Sequence, residues 1–191
     1  MLKTEKQKML AGEAYNSRDP ELLERYHFAR KLLLEFNQMS STEGDKKIGI
    51  LKSLLGEVGD GVWIEAPFYC DYGENIRIGR NSFFNFNCVL LDDNLISIGK
   101  NALIGPYVQI YTASHPLSAK DRIIKDPEER YLTLTKPVSI GDNVWIGGNT
   151  LIMPGVTIGS NVTIGAGSIV TRDIPDNSLA LGNPCRVVRE I

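Results

Sequence analysis

The chain holds two histidines, His27 and His115, and three cysteines, Cys70, Cys88 and Cys185, in 191 residues. Three cysteines in a chain of this size do not build a disulfide framework, which points to a reducing, cytoplasmic setting. No apolar run reaches the length needed to span a bilayer, and the opening MLKTEKQKML is charged and lacks the apolar centre of a signal peptide. Basic residues never cluster, and the net charge is −2. A surface built to contact nucleic-acid phosphates is thereby excluded, and no membrane partner is expected. What remains is ordinary for a globular chain: 42% apolar and 23% charged residues, enough for a sizeable core.

Two regions of different character follow one another. Residues 1–57 form a helical segment. In DPELLERYHFARKLLLEFNQ, Asp19 is placed to cap a helix, Pro20 occupies its first position, and Glu21 and Glu24 lie near its start. Leu22, Tyr26, Ala29, Leu33 and Phe36 then fall on one face at helical spacing. His27 lies beside that stripe, as a partly covered helix histidine. A second helix is expected from Lys46 to Leu55, after the separator Ser40 to Gly44.

From residue 58 glycine and β-branched residues take over, and a repeat emerges. Ile140, Ile146, Ile152, Ile158, Ile164 and Val170 stand six apart. Four residues after each comes a small or branched residue: Val144, Thr150, Val156, Val162, Ser168 and Ile174. Upstream, Ala66, Tyr72, Ile78, Phe84 and Leu90 keep the same step, and Ile98, Ile104 and Ile110 resume it after a two-residue slip. Neither helical periodicity nor simple strand alternation produces this pattern. It predicts a mainly β fold over 58–191, a prism of short strands whose aliphatic residues point inward and whose coils stack. Glycine is expected to supply the corner conformations. Three six-residue sides would make an eighteen-residue coil. Cys70 and Cys88, eighteen apart, should then stack inside adjacent coils as small apolar groups.

The rhythm breaks between residues 114 and 137, a long charged excursion without inward aliphatic residues. Long loops in compact domains carry function or are disordered. His115 stands where the excursion leaves the scaffold, as either a site residue or a loop histidine bonded to its neighbours.

Several motifs now fall in one order: CDYG at 70–73, NFN at 85–87, LDD at 91–93, YTASHP at 111–116, NVWIGG at 143–148 and the closing GNPCRVVREI. With the hexapeptide repeat and the leading KMLAGEAYNSRDPEL, the chain resembles the hexapeptide-repeat acyltransferases, in the maltose and galactoside O-acetyltransferase branch. The resemblance runs essentially end to end. It implies a left-handed parallel β-helix and a homotrimer with active sites between subunits. It also implies transfer of an acetyl group from acetyl-CoA to a sugar hydroxyl. His115 matches the family's catalytic histidine, which suits a general base at neutral pH. Asn85 matches the asparagine beside it; the other reading is an asparagine tolerating a turn. Asp93 matches a sugar-contacting carboxylate, against a solvated loop carboxylate. Asp71, in CDYG, stands where galactoside-type members have serine and belongs with the maltose type. Ser17 matches an N-terminal sugar-binding aspartate, with Asn16 and Asp19 nearby. For the cofactor the resemblance points to Gly148, Ala166, Thr171, Arg172, Arg186 and Arg189; the last two are otherwise a solvated terminal pair. Trp145 fits either the cofactor wall or a subunit interface. A serine or antibiotic acceptor is the alternative, and a non-catalytic solenoid the remote one. A zinc carbonic anhydrase shares this architecture but needs three histidines at its metal, so no metal is expected.

Overall fold

The computed structural model describes residues 2–125 and 129–191. Three helices precede the strands. α1 (Glu5–Leu10) is closed by a reciprocal cap between Thr4 and Gln7, a signal that the sequence reading passed over. α2 (Pro20–Gln38) begins as expected, with the Asp19 side chain accepting from the Glu21 N–H. α3 (Gly44–Leu54) starts two residues earlier than the expected Lys46. Leu22, Ala29, Leu33 and Phe36 are buried along α2, and Tyr26 is half-buried. His27 is exposed, edge-on to Tyr26. None of the helices is long and apolar enough to cross a membrane, among the described residues.

The remainder is a parallel β-solenoid with three sheets. The first stacks Glu57–Val58, Ile76–Ile78, Ile96–Ile98, Val138–Ile140 and Thr157–Ile158. The second stacks Trp63–Ile64, Phe83–Phe84, Leu103–Ile104, Trp145–Ile146, Thr163–Ile164 and Ser178–Leu181, and Arg186–Glu190 closes it antiparallel. The third stacks Phe68–Cys70, Cys88–Leu91, Gln109–Tyr111, Leu151–Ile152 and Ile169–Val170. Ile140, Ile146, Ile152, Ile158, Ile164 and Val170 all point into the core, as do the six residues four places after them. No single coil could bury its aliphatic row alone, so stability comes from the stack.

The eighteen-residue coil holds only in the C-terminal half, where Ile140 pairs with Ile158 and Ile146 with Ile164. In the N-terminal half the coil is twenty residues: Ile78 pairs with Ile98, Phe84 with Ile104 and Leu90 with Ile110. The extra pair of residues sits at the corner after the third sheet, at 71–75 and again at 91–95. The inward row therefore runs through Ile64 and Cys70, not the expected Ala66 and Tyr72. Tyr72 instead packs with Met9, Tyr15 and Leu22 beneath the helical segment. Cys70 and Cys88 are both buried, but they do not stack on each other. Cys88 lies over Phe68 and Cys70 under Leu90.

The corners also differ from expectation. Gly61, Gly155 and Gly167 do take left-handed corners, but after Gly61 the edge between the first and second sheets takes that backbone at Asn81, Asn101, Asn143, Asn161 and Asn177, with φ of 58°, 57°, 57°, 57° and 55°. Their side chains join in one ladder, each Nδ2 donating to the next Oδ1 at 2.8–2.9 Å. Asparagine is the non-glycine residue that tolerates this region best. The glycines after the aliphatic residues serve closeness instead. A Cβ on Gly79 would lie 2.6 Å from the Gly99 carbonyl carbon in the next coil.

The excursion is a folded arm rather than a plain loop. It leaves at Ala113–Ser114, which pairs antiparallel with Leu134–Thr135. A second antiparallel pair joins Ile123–Ile124 to Arg130–Tyr131, after the single turn α4 (Ala119–Arg122).

Candidate active site

The corner between the third and first sheets gathers three of the expected residues. Asp71 follows Phe68–Cys70, Asp93 follows Cys88–Leu91, and His115 lies on the arm that follows Gln109–Tyr111. His115 is exposed, and its Nδ1 is 2.8 Å from the Leu132 carbonyl on the arm's return strand. A carbonyl only accepts, so this contact fixes the proton on Nδ1 and leaves the Nε2 lone pair outward. The Tyr131 ring flanks the imidazole at 6.2 Å between centroids. The positive form of His115 is close enough to Asp93 to favour that carboxylate.

Below the histidine lies a carboxylate cluster. Asp92 is fully buried, and its Oδ1 accepts from the N–H of Asp71 at 2.9 Å and of Tyr72 at 2.8 Å. Its Oδ2 takes the Asn75 N–H at 3.3 Å. Burial pushes Asp92 up to about 6, against the pull of these N–H groups. Asp93 accepts the Tyr15 hydroxyl proton at 2.8 Å. Burial raises it too, and the Tyr15 hydrogen bond resists. Asp71 is pushed up to about 7 by burial and by the negative Asp93 and Asp92, with Arg30 opposing. The Arg30 Nη2 reaches Asp71 at 3.0 Å while its guanidinium lies over the Tyr26 ring. Neighbouring carboxyls do not both ionise easily, and of the two Asp71 is the one that its negative neighbours push toward the protonated form.

Ser17 is exposed, two residues after the buried Tyr15. Of its neighbours, Asp19 is occupied in capping α2, and the Asn16 Oδ1 accepts from the Arg18 N–H. The helical segment meets the arm through Tyr15, which bridges to Thr133, and through the Arg130 Nη1 on the Tyr15 carbonyl at 3.3 Å.

The other set lies at a different corner, between the second and third sheets. Asn85, Gly148, Ala166 and Trp145 line one groove of about 430 Å³, floored by Gly105 and Pro106. The Asn85 Oδ1 accepts from the Phe86 N–H at 2.8 Å, so its amide NH2 is the end left to donate at the groove. Arg186 and Arg189 lie exposed on the last strand of the second sheet, and Trp145 is 53% exposed. Thr171 and Arg172 follow the last strand of the third sheet and belong to the histidine's corner. Within one chain the width of the third sheet separates Asn85 from His115, so the expected residues form two half-sites.

Tyr15, Arg30 and Asp92 were not singled out from the sequence. Strand alternation gave one signal: of two adjacent aspartates at 92 and 93, one had to face inward. Tyr15 and Arg30 act across long chain separations, for which the sequence pattern carries no sign.

Comparison with known proteins adds to this geometry. Residues 8–59 match the family described as maltose acetyltransferase hexapeptide capping motif, and residues 137–172 match bacterial transferase hexapeptide (six repeats). Nodulation protein L of Rhizobium meliloti (strain 1021) is 49% identical over 189 residues, covering 98% of this chain and 99% of that protein. The crystal structure of a maltose O-acetyltransferase from Clostridium difficile 630 superposes with a TM-score of 0.94 at 47% identity, covering 99% of this chain and 98% of that one. A galactoside acetyltransferase in complex with coenzyme A gives a TM-score of 0.92 at 41% identity, covering 100% and 92%. The chain belongs to the maltose and galactoside O-acetyltransferase family of hexapeptide-repeat proteins, and it is an acetyltransferase of that type.

Proposed function

We propose that this protein moves the acetyl group of acetyl-CoA to a hydroxyl of a maltose- or glucose-like sugar by direct transfer, with His115 as general base. The observation that carries this reading is the His115 Nδ1 contact with the Leu132 carbonyl, which leaves Nε2 as the basic nitrogen. As the sugar oxygen attacks the thioester carbonyl carbon, Nε2 takes its proton. The tetrahedral intermediate then collapses, the C–S bond breaks, and the imidazolium returns the proton to the departing thiolate. No acetyl-enzyme is required.

The two half-sites meet if the protein is a homotrimer, with the groove corner of one copy facing the histidine corner of the next. The partner subunit's Asn85 then points its amide NH2 at the developing oxyanion. Small residues at Gly148 and Ala166 admit the pantetheine arm, and Arg186 and Arg189 pair with cofactor phosphates. Thr171 and Arg172 reach the cofactor from the histidine's side. Asp71 and Asp93 accept hydrogen bonds from acceptor hydroxyls, with Ser17 at the rim.

The test is release of free thiol from acetyl-CoA with a panel of glucose, maltose, a galactoside, serine and an aminoglycoside-like antibiotic. Saturation with one sugar supports the reading. Turnover only with serine or the antibiotic moves the acceptor outside the sugars. Absence of both turnover and acetyl-CoA binding overturns it. His115→Ala should keep the fold and lose about two to four powers of ten in turnover.

A further inference from the structure

The arm that presents His115 is tied together at few points. Its strands pair at Ala113–Ser114 with Leu134–Thr135 and again at Ile123–Ile124 with Arg130–Tyr131. Between those rungs one side holds residues 115–122 and the other only 132–133, so the longer side must bow outward. His115 opens the bow and Arg122 ends it. Leu132 joins the two ends: its N–H donates to the Arg122 carbonyl at 2.8 Å, and its carbonyl meets the His115 Nδ1 at 2.8 Å.

The Arg122 side chain then turns back across the bow. Its Nε donates to the Pro116 carbonyl at 3.1 Å and its Nη2 to the Leu117 carbonyl at 3.0 Å. One planar fork thus grips the two carbonyls that directly follow the histidine. Among the described residues little else holds that stretch. Pro116 has no N–H to give. Leu117 is 97% exposed and buries no apolar surface. Ser118, at the N-cap of the single turn α4, makes no side-chain capping bond.

We propose that Arg122 is a positioning residue for acetyl transfer. It fixes the backbone at 116–117, so that His115 keeps its bond to Leu132 and holds Nε2 toward the acceptor. It touches none of the reacting atoms. The proposal rests on the reading of His115 as general base. It predicts that geometry, not charge alone, is what Arg122 supplies: lysine can hold one carbonyl at a time, and alanine neither.

The experiment compares Arg122→Ala, Arg122→Lys and His115→Ala in the full chain. Three quantities are read: kcat, KM for acetyl-CoA, and the imidazole nitrogen resonances of histidine-labelled protein. The chain has two histidines, so a His27→Gln variant completes the assignment. Arg122→Ala should lower kcat about tenfold to a hundredfold, the size of effect expected from a small misplacement of a reacting group. Its KM for acetyl-CoA should stay within about twofold of wild type. The His115 signals should move from one Nδ1–H tautomer toward an exchanging mixture. Arg122→Lys should fall between, and added guanidinium ion should restore part of the alanine variant's turnover. Wild-type kcat and tautomer in Arg122→Ala, beside an inactive His115→Ala, would overturn the proposal and leave the base intact. Lowered kcat with an unchanged tautomer and no guanidinium rescue would also overturn it. Full turnover in His115→Ala would instead overturn the base reading, and the tautomer would still report whether Arg122 orders the imidazole.

Discussion

Gly147 and Gly148 stand side by side where the second sheet turns into the third, yet their surroundings differ. A Cβ on Gly147 would lie 2.5 Å from the Ala166 nitrogen, 2.8 Å from its Cα and 3.1 Å from its Cβ. That neighbour is the stacked coil, held in place by the Gly147 N–H on the Ile164 carbonyl at 2.8 Å. The coils cannot part locally without stretching such bonds. Overpacking costs typically about 1–3 kcal/mol, and a clash with pinned backbone puts Gly147→Ala near 3 kcal/mol, the top of that range. For a chain of this length, that lowers Tm by about 6–12 °C. A Cβ on Gly148 meets the Pro106 carbonyl oxygen at 3.0 Å and its ring carbons at 3.2 and 3.3 Å, in the coil beneath and beside the groove, a looser fit than at Gly147. Gly148→Ala should cost about 1 kcal/mol, the bottom of that range, and also raise KM for acetyl-CoA. Gly167 separates space from conformation. Its φ is +70° and a Cβ there would meet nothing within 4 Å, so Gly167→Ala bears only the left-handed penalty of about 1–2 kcal/mol. Thermal melts of the three variants, with acetyl-CoA kinetics, decide the matter. A Gly147→Ala protein that melts with wild type, or above Gly167→Ala, would refute the close-stacking account.

Three further outcomes follow from the same geometry. Asn143 combines a φ of 57° with ladder bonds to Asn101 and Asn161, so Asn143→Ala should destabilise by about 2–3 kcal/mol and Asn143→Gly by about 1, read by denaturant unfolding. Equal losses would mean that the backbone conformation is not the cause. Asp71, ordinarily near 3.8, is raised to about 7, so between those values the folded protein keeps a proton that the unfolded chain has released. Stability should therefore fall as pH rises from about 4 to about 7, and Asp71→Asn should flatten that fall in pH-dependent melts. A variant with an unchanged slope would place the retained proton on another group. Tyr15→Phe removes the 2.8 Å donor to Asp93 and should raise acceptor KM about tenfold, leaving acetyl-CoA KM alone in initial-rate assays.

The sequence shows the repeat because the repeat is a local constraint. An inward aliphatic residue every six positions is what a short strand and a tight corner demand, so Ile140 to Val170 could be placed without any structure. The same rule read Ala66 and Tyr72 wrongly. One slip was visible between Leu90 and Ile98, but the matching slip between Cys70 and Ile78 was hidden by a chance run at six-residue spacing. Shared pairing of Ile76 with Ile96 requires both slips together, and pairing is invisible in the chain. The asparagine ladder was missed for the opposite reason. The glycines that follow the inward aliphatic residues are not the left-handed ones, whereas the edge between the first and second sheets takes that backbone at Asn81, Asn101, Asn143, Asn161 and Asn177. Among the candidate site residues, those carried by a local motif were named from the sequence: His115 by the broken rhythm, Asp93 and Asn85 by their places in the repeat. Tyr15, Arg30 and Arg122 were not, because each acts on a neighbour brought near only by folding.

Every departure from the six-residue rhythm falls on one edge of the prism. The extra residues at 71–75, those at 91–95 and the arm from Ala113 to Pro137 all lie between the third sheet and the first. The other two edges keep their glycines and asparagines, and there is a physical reason. At a regular corner the glycine sits within van der Waals contact of the next coil, and the charges that stand there pair across coils, as Lys100 does with Asp142, which leaves little room for a cluster of side chains. An insertion opens such room, but a lone insertion would shift one coil against its neighbours. Two adjacent coils with equal insertions stay in register, as Ile76–Ile78 on Ile96–Ile98 shows. The cost is a widened corner whose backbone needs new partners, and the buried Asp92 supplies them to Asp71, Tyr72 and Asn75. Asp92 must stay buried to do so, which leaves Asp71 and Asp93 half-buried beside each other on adjacent coils of the same edge. The acidic character of the proposed acceptor site thus follows from the way the widened corner is held. An Asp92→Asn protein, whose amide cannot accept from all three N–H groups with the same charge, should lose acceptor binding before it loses the solenoid, with acceptor KM rising while Tm falls by only a few degrees. Loss of the fold with no separable effect on the acceptor would show that the corner and the site are not built by the same residue.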